Sequence, residues 1–206
     1  KPVAKPPVKK PVTITKPASK PKVPTTVTQS QAALSSIALK NFNLTADPIS
    51  ALANGELYID KPTVRATVKN TFSQHAKVTF TYLGYTKETV PLADGELRRQ
   101  MAFKLLGQDL CNMIIVSWQF EPHQRLQILK KYNPGKAAFE NCGANGYTVL
   151  NPTTSKPTPV VKIDSTHTME AQIDTKNILT VTIDGQEVWR GTVQKELAQI
   201  KGPVGL

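Results

Sequence analysis

The chain has little of what most active sites are built from. Its 206 residues hold two cysteines and three histidines, His75, His123 and His167, which lie far apart. No Cys-x-x-Cys pair is present, and scattered histidines do not supply the ligand spacing of a zinc site. No apolar run is long enough to span a bilayer as a helix. Acids are also scarce, at 15 against 26 lysines and arginines. Residues 1–28 contain no acid at all, but seven lysines and seven prolines. They contain no arginine and no aromatic residue either, which removes the stacking groups of a nucleic-acid-binding arm.

What is present divides unevenly. The prolines and like charges of residues 1–30 favour an extended, disordered linker that cannot bury a core. This segment is read as a spacer able to contact an anionic polymer. It resembles the Pro/Lys spacers that cross a bacterial periplasm or cell wall. The remainder carries the other 19 basic side chains against all 15 acids, a surplus of only four. The chain starts at Lys1 and reads as a mature or trimmed piece, with residues 31–206 forming one domain.

That domain reads as all-β. The apolar run Met113-Ile114-Ile115-Val116-Ser117-Trp118 is rich in β-branched and aromatic residues. Its positions Ile114, Val116, Trp118 and Phe120 make one apolar face, while Cys111, Met113 and Ile115 begin another, as expected of an inner strand. Glu121-Pro122 turns it back onto Arg125 and the residues after it. Val78, Phe80 and Tyr82 alternate with polar neighbours. So do Leu97, Met101, Phe103 and Leu105, and then His167, Met169, Ala171 and Ile173. Leu179, Val181 and Ile183 end at Asp184-Gly185, a two-residue hairpin signal, because a type I′ turn needs positive φ at both positions. About ten short strands without a long amphipathic helix indicate an antiparallel two-sheet jelly-roll sandwich.

The closing stretch HTMEAQIDTKNILTVTIDGQEVWRGTV, followed by GPVGL, resembles the last hairpins of concanavalin A-like lectin/glucanase domains. The likeness is to their laminin-G-like bacterial branch, which includes 3-keto-disaccharide hydrolase domains. Asn54-Gly55-Glu56-Leu57 resembles the opening of the same domains, so the resemblance spans roughly residues 50–206. It implies sugar binding in many members. In such domains a further strand follows the Gly-Leu, so the end of this chain suggests a missing final strand or an edge open to a protein partner.

Four kinds of site are weighed on these residues. Glu170 and Asp174 keep the outer spacing of the glucanase Glu-x-Asp-x-Glu pattern, with Gln172 in the middle. Residues i and i+4 of a strand lie about 13 Å apart. A retaining pair needs about 5–5.5 Å, so a solvated strand face is the first reading of both. Cys111 and Cys142 are read first as a disulfide, given the fold and an oxidising compartment, with inert thiols or a nucleophile as alternatives. A sugar site would draw on the rings of Tyr82, Tyr85, Tyr132, Tyr147 and Trp189. Its polar partners would come from Arg98, Arg125, Asn145, Asn112 and Gln119. No cofactor is expected. Calcium is a lesser alternative, because Asp184-Gly185 is explained by its hairpin. The expectation is a non-catalytic glycan- or envelope-binding module, periplasmic, cell-surface or secreted. The alternatives are a glycoside-active enzyme and an assembly domain.

Overall fold

The structure, a computed structural model, describes residues 34–92, 95–143 and 146–206. The expected linker over residues 1–30 lies outside them. The described residues from Leu34 onward form one compact unit. A 3-10 turn, Leu39–Asn41, leads into β1 (Phe42–Leu44), β2 (Ser50–Ala51), β3 (Leu57–Tyr58), β4 (Ala66–Val68), β5 (His75–Thr81), β6 (Arg99–Leu105), β7 (Asn112–Glu121) and β8 (Arg125–Tyr132). A single helical turn, α1 (Phe139–Cys142), separates these from β9 (Tyr147–Val149), β10 (Thr154–Ser155), β11 (Thr166–Ile173), β12 (Ile178–Ile183) and β13 (Gln186–Thr192). A second turn, α2 (Lys195–Ala198), precedes the end.

Every ladder between these strands is antiparallel. One sheet runs β10-β13-β12-β11-β5 and another β6-β7-β8-β9. Residues 203–206 join the second sheet to β1 and β4. Gly205 bridges Thr67 on one side and Lys104 on the other. Leu206 and Ala66 exchange both backbone bonds at 2.8 and 3.1 Å, Val68 N–H donates to Val204 O at 2.9 Å, and Lys104 N–H donates to Gly205 O. The Gly-Leu ending therefore fills an interior slot.

The hydrophobic effect places the core where the period-two pattern points. Ile114, Val116 and Trp118 of β7 face Met169, Ala171 and Ile173 of β11 and Leu179, Val181 and Ile183 of β12 in one buried cluster. Trp118 is fully buried and meets Phe80, Phe120 and His167 edge-on, with centroids 5.2–5.8 Å apart. The hairpin at Asp184-Gly185 has φ of 51° and 78°, the left-handed pair its sequence requires.

Trp189 was expected among exposed rings, but it is 3% exposed. The register opposes Val181 to Trp189 and Thr182 to Glu187, so Val188 is an extra residue in β13. This bulge lets Val188 and Trp189 both turn inward, and the indole folds over Gly191, where a Cβ would sit 2.5 Å from it.

Candidate functional site

The second sheet turns one face to the core. Its opposite, outer face follows from the register. Thr67, Gly205, Lys104, Ile115, Leu129 and Val149 form one row across it. Met113, Lys131 and Tyr147 form the next row in one direction, and Ala102, Ser117 and Gln127 the next in the other. Gln119 and Arg125 follow beyond.

The disulfide shapes one end of this face. Cys111 and Cys142 are bonded, with Cα atoms 5.8 Å apart. The bond ties α1 to the start of β7 and draws the connection after β8 over the sheet. Lys131 lies beneath, with no exposed surface. Its Nζ donates to Leu110 O at 2.9 Å and sits 4.8 Å from the ring centroids of both Phe139 and Tyr147. Burial pushes the Lys131 ammonium below the ordinary lysine value, while Asp109 pulls it the other way. Phe139 is 47% exposed and Tyr147 39%. Two exposed rings beside one buried ammonium, from a helical turn and from an edge strand, are a candidate aromatic platform for the apolar face of a pyranose.

The other predicted residues divide between this face and elsewhere. Arg125 is exposed and donates from Nε to Gln119 Oε1 at 2.8 Å. Gln119 is itself buried and passes a bond to Glu121 O. Asn112 is a structural joint, bonding Asp109, Lys136 O and Asn133 N–H. Tyr85 is exposed, but the Arg99 guanidinium lies 3.6 Å over its ring and its hydroxyl donates to Glu121. Tyr82 is half-buried against Phe120, and burial, Glu121 and Tyr85 raise its phenol. Tyr132 packs against the core. Arg98 bonds Glu96. Asn145 lies outside the described residues.

The two carboxylates do different work. Glu170 lies on the outer face of the first sheet, opposite Lys77, and bonds His75 Nε2 at 2.7 Å and Lys77 Nζ at 3.4 Å. Burial raises its carboxyl, but the His75 and Lys77 partners outweigh that and hold it below the usual range. Asp174 accepts the Lys176 and Ile178 amides at 2.8 and 2.9 Å and closes the turn between β11 and β12.

A second polar constellation was not foreseen. His167 Nδ1 lies 2.8 Å from Asp184 Oδ2, and its Nε2 lies 3.0 Å from Ser165 Oγ. The order of groups is that of a hydrolase relay, but the serine is already spent. Its hydroxyl donates to Lys162 O at 2.5 Å and accepts Lys162 N–H. The chain of bonds fixes the start of β11 and orients Asp184 at its hairpin. Among the described residues no three His, Cys, Asp or Glu side chains gather as cation ligands.

Phe139 was also missed in the sequence. It belongs to no periodic strand, and only its spacing of three residues from Cys142 hinted that a disulfide would hold it in place.

Fold and surface together define an antiparallel β-sandwich with a candidate aromatic platform at one end of one outer face. No family model and no curated protein matches the chain. Among solved structures, it is similar to the carbohydrate binding module CBM66 from Bacillus subtilis, with 9% identity over 80% of this chain and 85% of that one and a TM-score of 0.49.

Proposed function

We propose that this chain is a glycan-binding module of the concanavalin A-like type that acts outside the cytoplasm, on a cell-envelope or secreted polymer. The observation that carries the reading is the pair of exposed rings, Phe139 and Tyr147, both set 4.8 Å from the buried Lys131 ammonium. Sugar recognition needs a preset apolar plane, because ordering a ring on binding costs affinity. Here the disulfide ties down the turn that carries Phe139, and the ammonium sits beside both rings. The disulfide also supports an oxidising compartment.

The test is a glycan array probed with the full chain and with Tyr147→Ala and Phe139→Ala. Each substitution lowers binding to the recognised glycan by about two- to tenfold, the worth of one ring contact, with the melting temperature preserved. Full binding by both variants removes the platform from the account. No binding of any glycan by the folded chain removes the function.

A further inference from the structure

The two outer faces of the sandwich are charged in different ways. On the strands of the first sheet each charge is matched. Lys77 pairs with Glu170, and Arg190 with Glu187. The second sheet has no such balance. By register its outer face carries Lys104 and Arg125, with the buried Lys131 beneath α1, and the acid on its strands is Glu121. That acid sits at the end of β7, held by Arg99 and Tyr85.

Arg65 adds to the surplus. It lies two residues before Thr67, on the same outer face by strand alternation. It is exposed, and among the described residues its guanidinium has no hydrogen-bond or ion-pair partner. Its charge reaches Lys104 in the middle of the face, where burial and Arg65 both push the ammonium down. It also reaches the Tyr147 hydroxyl, which burial raises and Arg65 lowers. A basic face without its anions holds uncompensated repulsion that an anionic ligand relieves.

We propose that this face binds an acidic glycan, a sugar ring stacking on Tyr147 and Phe139 while its carboxylate or sulfate is taken by Arg65. This deepens the glycan-binding reading and rests on it. Arginine suits the task, because its planar donors match a carboxylate or sulfate in two-point fashion. A polyuronide or sulfated glycan fits the face better than a nucleic acid does. The amide side chains Gln127 and Gln100 lie among the cations, where sugar hydroxyls would fall. A nucleic-acid strand instead needs a continuous basic track.

The experiment is titration calorimetry of the full chain at low salt with matched pairs of ligands. One pair is oligogalacturonate and its methyl ester; the other is chondroitin sulfate and desulfated chondroitin. The acidic member of at least one pair binds about tenfold tighter than its partner, as one charge-assisted contact would give. Arg65→Gln abolishes that preference and leaves the neutral member's affinity within about twofold. Tyr147→Ala weakens both members.

Equal affinity for both members of each pair overturns the acidic preference. So does a preference that survives Arg65→Gln, or displacement of the bound sugar by an oligothymidylate at lower concentration. In each of those cases glycan binding still stands if Tyr147→Ala weakens it. An effect of Tyr147→Ala on neither member of a bound pair, or failure of every ligand to bind, overturns the underlying reading and this one with it.

Discussion

Substituting Gly205 by alanine tests how the second sheet is closed. A Cβ at this position would lie 2.1 Å from Ala66 O, 3.0 Å from Thr67 Cα and 3.1 Å from the Ala66 carbonyl carbon. The first distance is far inside the roughly 3.5 Å optimum for non-bonded heavy atoms. The obstacle is backbone on a paired strand, so no side-chain rotation relieves it. Either β4 retreats, losing the Ala66–Leu206 exchange and the Val68 N–H bond to Val204 O, or residues 203–206 leave the slot and the Lys104, Gly107 and Gly205 amides lose their partners as well. At about 1 kcal/mol for each net hydrogen bond, these bonds amount to about 3–6 kcal/mol. That is a large part of the stability typical of a domain. For a chain of this size it corresponds to a fall in melting temperature of roughly 6–24 °C. Thermal unfolding followed by far-ultraviolet circular dichroism reads the change. Gly185→Ala serves as the control. Gly185 has φ of 78° and nothing within 4 Å of a built Cβ, so only backbone strain of about 1–2 kcal/mol applies. If Gly205→Ala melts within two degrees of the parent, or no lower than Gly185→Ala, then residues 203–206 do not occupy the slot between β4 and β6.

Other perturbations follow from the same structure. Replacing both Cys111 and Cys142 with alanine opens a loop with a sequence separation of 31; urea unfolding then shows about 3–4 kcal/mol less stability, and an unchanged midpoint would refute a bonded pair. Trp189→Ala costs about 3–5 kcal/mol as a core deletion, whereas Tyr85→Ala stays within about 1 kcal/mol; comparable midpoints would place Trp189 on the surface. Glu170 and Asp184 both have carboxyls held below their ordinary values, because bonds from His75 and Lys77, and from His167 and Thr168 N–H, outweigh burial. A carboxyl lowered in the folded state adds stability that is fully present above its unfolded value, near pH 4, and is lost as the pH falls through the lower folded value. Glu170→Gln and Asp184→Asn therefore flatten the acid-side loss of the urea midpoint below about pH 4; an acid limb of unchanged steepness in both variants would count against these pairs.

Local signals in the sequence transferred well. The Asp184-Gly185 hairpin, the alternation through Met169, Ala171 and Ile173, and the inner run from Ile114 to Trp118 each depend on neighbours a few residues away. Pattern alone reads such features. What failed depends on partners distant in sequence. Nothing in GPVGL says that its two neighbours are strands about 100 and 140 residues earlier, reached through Lys104 and Thr67. Nothing in Glu187-Val188-Trp189 marks Val188 as the extra residue that turns the indole inward. The proposed site was legible by halves. Tyr147 and Arg125 were picked out as residue types that hold sugars, but their shared face is a matter of register. Phe139 and Arg65 came into view only with the disulfide and the ladder in place.

Lys131 shows why the platform is more than two exposed rings. Burying an ammonium is costly, and a side chain of similar shape without charge, such as methionine, would fill the same space without that cost. The compensation that Lys131 receives is one carbonyl, Leu110 O, the charge of Asp109 and the two rings. A cation above a ring is worth about 2 kcal/mol or more when desolvated, and that attraction depends on where the ring sits. Methionine could hold the loop down by packing, but it would let Phe139 and Tyr147 slide. The charge gives both rings a shared centre, one carried by a stapled loop and the other by an edge strand. Stability is a poor reason to bury a lysine here. Holding two separate elements beside one another, as the proposed glycan site requires, is a better one.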